Sequence, residues 1–244
     1  VGQVVAFVSG KGGTGKTTLC AAVAGSLAKR GSKVLCIDLD VGLRNLDISL
    51  GMRDEASVSF LDVIDGSCAV TDAPVHPLLP SLRLLTAPVA EPETVSEEAF
   101  FGLLAEAKAQ FDWVLLDAPA GVGALFRLAV RRADRTVVVT QADPASMRDA
   151  ERAGSLAAQL GPQWVRVVVN RVHSRLYSRL RTNVDDIMDT VGLPLLGLVP
   201  EHADVLLAAA WGVPLCNAEG CPAARACANI ARRLEGETVP LMLH

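Results

Sequence analysis

The chain has 244 residues, 50% of them apolar, and a net charge of −4 at neutral pH. That is enough material to bury a large core as one α/β domain, and the slight acidic excess gives no overall pull toward nucleic acid or anionic lipid. No apolar run free of charge approaches the roughly 20 residues that a membrane-crossing helix needs.

The first predicted strand, 3–9, leads straight into a core-like sequence, without the charged and then apolar layout of a signal peptide. Residues 10–17 then read Gly-Lys-Gly-Gly-Thr-Gly-Lys-Thr, ahead of a predicted helix over 16–29 that Gly31 closes. This strand–loop–helix order is the setting in which the pattern means a phosphate-binding loop. Gly12, Gly13 and Gly15 permit backbone angles that side chains forbid, so successive N–H groups can turn inward around phosphate oxygens. The helix adds its positive dipole end. Lys16 is placed to reach the β- and γ-phosphates, and the Thr17 hydroxyl to ligate Mg²⁺. The nucleotide-binding set here is Gly10, Lys11, Gly12, Gly13, Thr14, Gly15, Lys16, Thr17 and Thr18.

Further strands are predicted at 33–38, 82–86, 113–117, 135–140, 165–170 and 195–199. Helices are predicted near 56–65, 96–109, 123–132, 145–160, 176–191 and 223–235. Thr94 with Glu97 reads as a capping box, Gly161-Pro162 as a helix stop, and Leu176, Leu180, Val184, Ile187 and Val191 as one apolar helix face. Alternation of this kind implies a three-layer α/β fold, a mostly parallel sheet flanked by helices, with its site beyond the carboxyl ends of the strands. Asp38 and Asp40 follow one such strand and Asp117 another, where carboxylates beside a phosphate loop can hold Mg²⁺ through water or orient an attacking water. Asn170-Arg171 ends a third, and an asparagine amide can pair with the adenine edge.

The second lysine, Lys11, is not needed by the general phosphate-loop pattern. With it, the chain resembles the deviant Walker A P-loop ATPases of the MinD/ParA family. Val34 to Asp40 followed by Val41-Gly42-Leu43-Arg44-Asn45-Leu46-Asp47, and Phe111 to Gly121, resemble the switch segments of the MinD branch. Ser146 to Arg152 and Val199-Pro200-Glu201 match it as well, so that similar blocks run from residue 3 to about 236. ParA relatives typically continue with Pro-Gln after the switch aspartates; this chain does not.

The resemblance implies an ATPase using ATP and Mg²⁺, with Lys11, Lys16 and Asp40 as catalytic residues. Lys11 would reach across a dimer interface, and Asp40 would position the hydrolytic water. Asp38 and Asp117 would support Mg²⁺ through water, while Asn170, Arg171, Pro200 and Glu201 would hold the base. It further implies an ATP-bound homodimer, a regulatory protein partner that stimulates hydrolysis or inhibits division, and a role in placing the division site. Val122-Gly123 stands where these relatives commonly have Ile-Glu, so activation by a partner can differ in detail.

Two other readings stay open. A ParA-like partition ATPase would bind DNA without sequence preference, and Arg166, Arg171, His173, Arg175, Arg179 and Arg181 make one locally basic stretch; a solvated helix face is its commoner meaning. An iron-protein-like metal-cluster ATPase would need a close cysteine pair. Cys216, Cys221 and Cys227 are instead separated by four and five residues, and the six cysteines read as reduced thiols of a cytoplasmic protein.

The expected organisation is a single ATPase domain over 1–236 and a short tail over 237–244 without a basic amphipathic helix. The last ten residues carry two glutamates, no lysine or arginine, and Pro240. A membrane-surface helix needs cations on one face and bulky apolar residues on the other, and the two glutamates repel anionic lipid. The 244-residue chain carrying Asp40→Ala, held with ATP, should therefore stay in the supernatant when spun with anionic vesicles. Strong pelleting would show that its own residues bind membrane.

Overall fold

The computed structural model describes residues 1–55, 57–89, 94–173 and 184–241. The strands are β1 Gln3–Val8, β2 Val34–Asp38, β3 Val75–His76, β4 Leu79–Leu85, β5 Trp113–Asp117, β6 Arg135–Thr140, β7 Val165–Val172 and β8 Leu195–Pro200. They form one sheet in the order β3-β4-β2-β5-β1-β6-β7-β8. Every pairing is parallel except that of β3 with β4, at the edge. β2 and β5 are buried at every residue, as a parallel sheet covered on both faces requires.

The described α-helices are α1 Lys16–Lys29, α2 Leu46–Leu50, α3 Phe60–Ile64, α4 Glu97–Gln110, α5 Ala124–Arg131, α6 Pro144–Leu160, α7 Val184–Val191, α8 Ala203–Trp211 and α9 Pro222–Leu234. Side chains alternate across the sheet and divide the core in two. On one face Val5, Phe7, Cys36 and Leu115 pack with α1 and α9. On the other Val4, Ala6, Leu35 and Leu116 pack with residues of α4, α5 and α6. No described helix is long and apolar enough to cross a membrane.

Local chemistry explains where several elements start and differs from the sequence expectation at a few. Helix α4 begins at Ser96, whose hydroxyl accepts from the Ala99 amide at 3.3 Å, so the expected Thr94–Glu97 box does not form. A capping box does form one helix earlier. Ser59 Oγ accepts from the Asp62 amide at 3.2 Å, and the Asp62 carboxylate accepts from the Ser59 amide at 2.7 Å. That box shortens the helix expected over 56–65 to Phe60–Ile64. Of the helix expected over 176–191, Val184–Val191 is present with Ile187 and Val191 buried; Leu176 and Leu180 lie outside the described residues. Gly161 ends α6 as expected. Helices α2 and α8 and the short strand β3 were not legible from periodicity.

The chain after α9 is tied down by arginines. Arg233 donates to the carbonyls of Val239 and Pro240, at 3.0 and 2.8 Å, and to that of Leu196 in β8 at 3.0 Å. Arg30 pairs with Glu235 and Glu237, each at 2.5 Å, so both glutamates of the last ten residues are engaged by the domain itself.

Helices α3 and α4 are joined by an edge-to-face contact of Phe60 and Phe100, with centroids 6.3 Å apart and planes at 84°. Both rings are fully buried. Phe100→Ala should cost about 3–5 kcal/mol of unfolding free energy, measured by urea denaturation. A loss below about 1 kcal/mol would show that this part of the core collapses onto the cavity.

Candidate nucleotide-binding site

The loop between β1 and α1 lies at the carboxyl end of the sheet's middle, where β1 is flanked by β5 and β6. Gly10 is pressed onto α6: a Cβ there would sit 2.2 Å from the Asp149 carbonyl oxygen. Gly15 has φ 86° and caps α1, and its added Cβ would meet Asn170 Nδ2 at 2.2 Å. No side chain but hydrogen satisfies both demands at Gly15. Two side chains brace the loop from behind. Asn170 Nδ2 donates to the Thr14 carbonyl at 2.9 Å, and Gln141 Nε2 to the Gly13 carbonyl at 3.1 Å. Both bonds occupy carbonyls and leave the loop's amides for a ligand.

Lys16 is 5% exposed and its Nζ lies 2.5 Å from Asp117 Oδ1, on a carboxylate that is fully buried. Asp117 stands beside Asp38 in the β2–β5 register, so two carboxylates and one ammonium share the end of the sheet. The Asp38 oxygens accept from the amides of Asp40 at 2.9 Å and Leu46 at 3.2 Å, which folds residues 39–46 back over the strand end. Burial, reinforced by the neighbouring Asp117, pushes the Asp38 carboxyl up to about 7. Burial also raises Asp117, against the pull of Lys16.

A cavity of about 380 Å³ is lined by Lys16, Thr17, Asp40, Asn45 and Ala120 among others, so Asp40 and the Thr17 hydroxyl face the same space. Asp117 Oδ2, Ser9 Oγ and Thr14 Oγ1 are buried without a hydrogen-bond partner. Unsatisfied oxygens at the foot of a phosphate-shaped cradle suit a hydrated cation and its anion. The residues present therefore fit Mg²⁺ with a nucleotide phosphate, Thr17 facing the cavity and Asp38 and Asp117 behind it.

A second, larger cavity of about 510 Å³ adjoins the first; Gly15, Thr18 and Arg171 line both. Asn170, Pro200 and Glu201 line its wall with apolar Leu19, Val199 and Leu206, a mixture suited to a base. Arg171 holds φ 54°, rare for a residue with a side chain, at the junction of the two. Of the expected set, Gly10, Lys11, Asp38 and Asp117 line neither cavity; the two aspartates are buried, Gly10 is pressed onto α6, and Lys11 is exposed. Sequence reasoning missed Gln141, since nothing in a strand-end glutamine marks it as a brace.

The family profile described as CobQ/CobB/MinD/ParA nucleotide binding domain matches residues 5–215. The chain belongs to the MinD/ParA family. The septum site-determining protein MinD of Thermotoga maritima is 35% identical over 246 residues, covering 99% of this chain and 91% of that protein. Its Bacillus subtilis counterpart is 35% identical over 248 residues, covering 100% and 92%. The solved MinC:MinD cell division protein complex of Aquifex aeolicus contains a chain that superposes with a TM-score of 0.92 at 35% identity, covering 98% of each chain. The matched family is a nucleotide-binding one by its description, and the matched residues include the β1–α1 loop described above.

The raised Asp38 carboxyl has a measurable consequence. Unfolded, it ionises near its ordinary value of 3.8; folded, it keeps its proton to about 7. Between those values the folded state holds the extra proton, so this group's contribution to stability falls as pH rises from about 4 to about 7, then levels off. Asp38→Asn removes that titration. Urea unfolding of the nucleotide-free proteins should therefore show the wild type losing a few kcal/mol relative to Asp38→Asn across this window. A difference independent of pH would contradict the assignment.

Proposed function

We propose that this chain is an ATP-dependent, dimerising ATPase that acts as a spatial regulator of division-site placement. The observation that carries the reading is the division of labour between two lysines of one loop. Lys16 is buried on Asp117 at the foot of the phosphate cavity, whereas Lys11 is exposed and outside it. A cation in the loop that faces solvent rather than its own cradle is placed to serve a second chain's nucleotide. Leu43 and Val122, one in each switch segment, are exposed apolar residues, as a face that closes on a copy of itself would have.

In this reading Gly10 to Thr18 bind the phosphates of ATP, and Asn170, Arg171, Pro200 and Glu201 the base. Asn170 would then exchange its bond with Thr14 for one with adenine, or serve only as the loop's brace. Thr17 would hold Mg²⁺ directly and Asp38 and Asp117 through water, and the ion would supply charge neutralisation at the phosphates. Asp40, facing the same space as Thr17, orients the attacking water. The γ-phosphate holds 38–47 and 117–123 in one arrangement and releases them when lost. Turnover alone is slow and needs a partner to complete the geometry.

The names of the relatives support the cellular role, and the MinC:MinD complex supports a regulatory protein partner of the kind its title gives. The single-domain organisation over 1–236 and a cytoplasmic place of action belong to the same proposal. The DNA-binding alternative gains nothing from the geometry. Arg166 and Arg171 stand near opposite ends of β7, whose pairing with β8 is irregular between Val169 and Val172. Arg166 covers Trp164 at 5.0 Å, and His173 pairs with Glu201; Arg175, Arg179 and Arg181 lie outside the described residues.

Lys16→Ala should abolish ATP binding in titration calorimetry, because the buried cradle loses its cation. Unchanged affinity would refute the site.

Lys11→Ala should bind ATP yet remain a monomer, while Asp40→Ala should bind ATP and persist as a dimer, with the two masses read by light scattering. The same mass for both variants would contradict the cross-interface role of Lys11.

A further inference from the structure

We propose that His202, Asp204 and Cys221 form a binding site for a thiophilic divalent cation such as Zn²⁺, beside the larger cavity. The three residues come from two helix starts. His202 is the N-cap of α8, Asp204 sits in its first turn, and Cys221 is the N-cap of α9. Their donor atoms all lie within 4.8 Å of one another. His202 Nδ1 is 3.3 Å from Asp204 Oδ2 and 3.8 Å from Cys221 Sγ. Tetrahedral zinc, with Zn–N and Zn–O near 2.0–2.2 Å and Zn–S near 2.3 Å, separates an N and O ligand by about 3.3 Å and an N and S ligand by about 3.6 Å. These two spacings match within a few tenths of an ångström, and the third, from Asp204 to Cys221, is under 4.8 Å.

The chemistry of the donors agrees. Histidine is not among the residues that favour an N-cap; here its Nδ1 accepts from the Asp204 amide at 3.3 Å, a long cap bond that ligation through Nδ1 would replace. Cys221 is buried, its position fixed by Pro222 at the start of α9. His202 and Asp204 are partly exposed, with side chains 38% and 39% accessible, so an ion can enter from solvent. Three protein ligands leave one position for water, the arrangement of an exchangeable site rather than a closed structural one. Binding releases the Cys221 thiol proton to solvent as the S–metal bond forms, so affinity rises with pH. Soft sulfur and imidazole donors discriminate against Mg²⁺, which prefers oxygen ligands, so the proposed nucleotide metal does not compete. His202 also lines the larger cavity, so an ion here would stiffen the wall that follows β8.

The spacing of Cys216, Cys221 and Cys227 holds no close cysteine pair, so the site is invisible in the sequence around them. It exists because the loop after β8 brings an imidazole and a carboxylate to Cys221.

The test uses the reduced, nucleotide-free full chain titrated with Co²⁺ as the spectroscopic stand-in. A thiolate-to-metal absorption band should saturate at one equivalent and disappear when Zn²⁺ is added. Cys221→Ser should abolish the band. His202→Asn, which retains a capping side chain, should weaken binding at least ~10-fold, and Cys216→Ser should change neither, with thermal unfolding of each variant confirming its fold. No thiolate band in the wild type would overturn the proposal, and so would a band that survives Cys221→Ser.

Discussion

Everything at this site depends on one buried ion pair. Lys16 and Asp117 are both removed from solvent and meet at 2.5 Å. Burying an ammonium without a counter-charge is costly, and Asp117 supplies that counter-charge at the foot of the loop. The pair also links two ends of the fold, because Lys16 begins α1 and Asp117 ends β5. Asp38 stands next to Asp117 across the β2–β5 register and shares the same small reservoir of positive charge. Its carboxyl is consequently pushed up to about 7 by burial and by its neighbour. The arrangement is electrostatically short of one or more cations, which is the condition under which a hydrated metal ion is attracted.

That shortage connects the site to the segment that would move. The Asp38 carboxylate is the anchor for the amides of Asp40 and Leu46, so whatever changes the charge on Asp38 changes the grip on residues 39–46. Asp40 sits inside that segment and lines the smaller cavity, and Leu43 in the same turn lines its rim while remaining largely exposed. In the function proposed above, a phosphate group in the cavity acts on both the carboxylate that orients water and an exposed apolar contact. This is how occupancy of a small pocket can be reported on the surface of the protein.

Much of this was legible in the sequence for reasons that are local. A phosphate loop needs glycines at positions fixed by backbone geometry; of the three expected, Gly13 and Gly15 hold positive φ, whereas Gly12 does not and has open space around it. Buried parallel strands read as unbroken apolar runs, which located β1, β2 and β5 to β8 closely. What was not legible depends on tertiary contact. Helix α8 is apolar enough to lack a clear face, with Leu206 and Trp211 exposed, and α2 has only five residues, too few for a period to appear. The choice of Ser96 over Thr94 as a cap turns on one residue of phase. Gln141 and Asn170 brace the loop through backbone carbonyls far away in sequence, and no pattern in their own segments announces it.

In the proposed cycle, the segments after β2 and β5 distinguish a triphosphate from a diphosphate. Hydrogen–deuterium exchange, followed by mass spectrometry over peptides spanning 39–50 and 118–123, measures this directly. With Mg²⁺ and a non-hydrolysable ATP analogue, these peptides should be more protected than with Mg²⁺ and ADP at saturation, while the β1–α1 loop is protected in both. Equal protection of 39–50 and 118–123 in the two complexes would contradict the account.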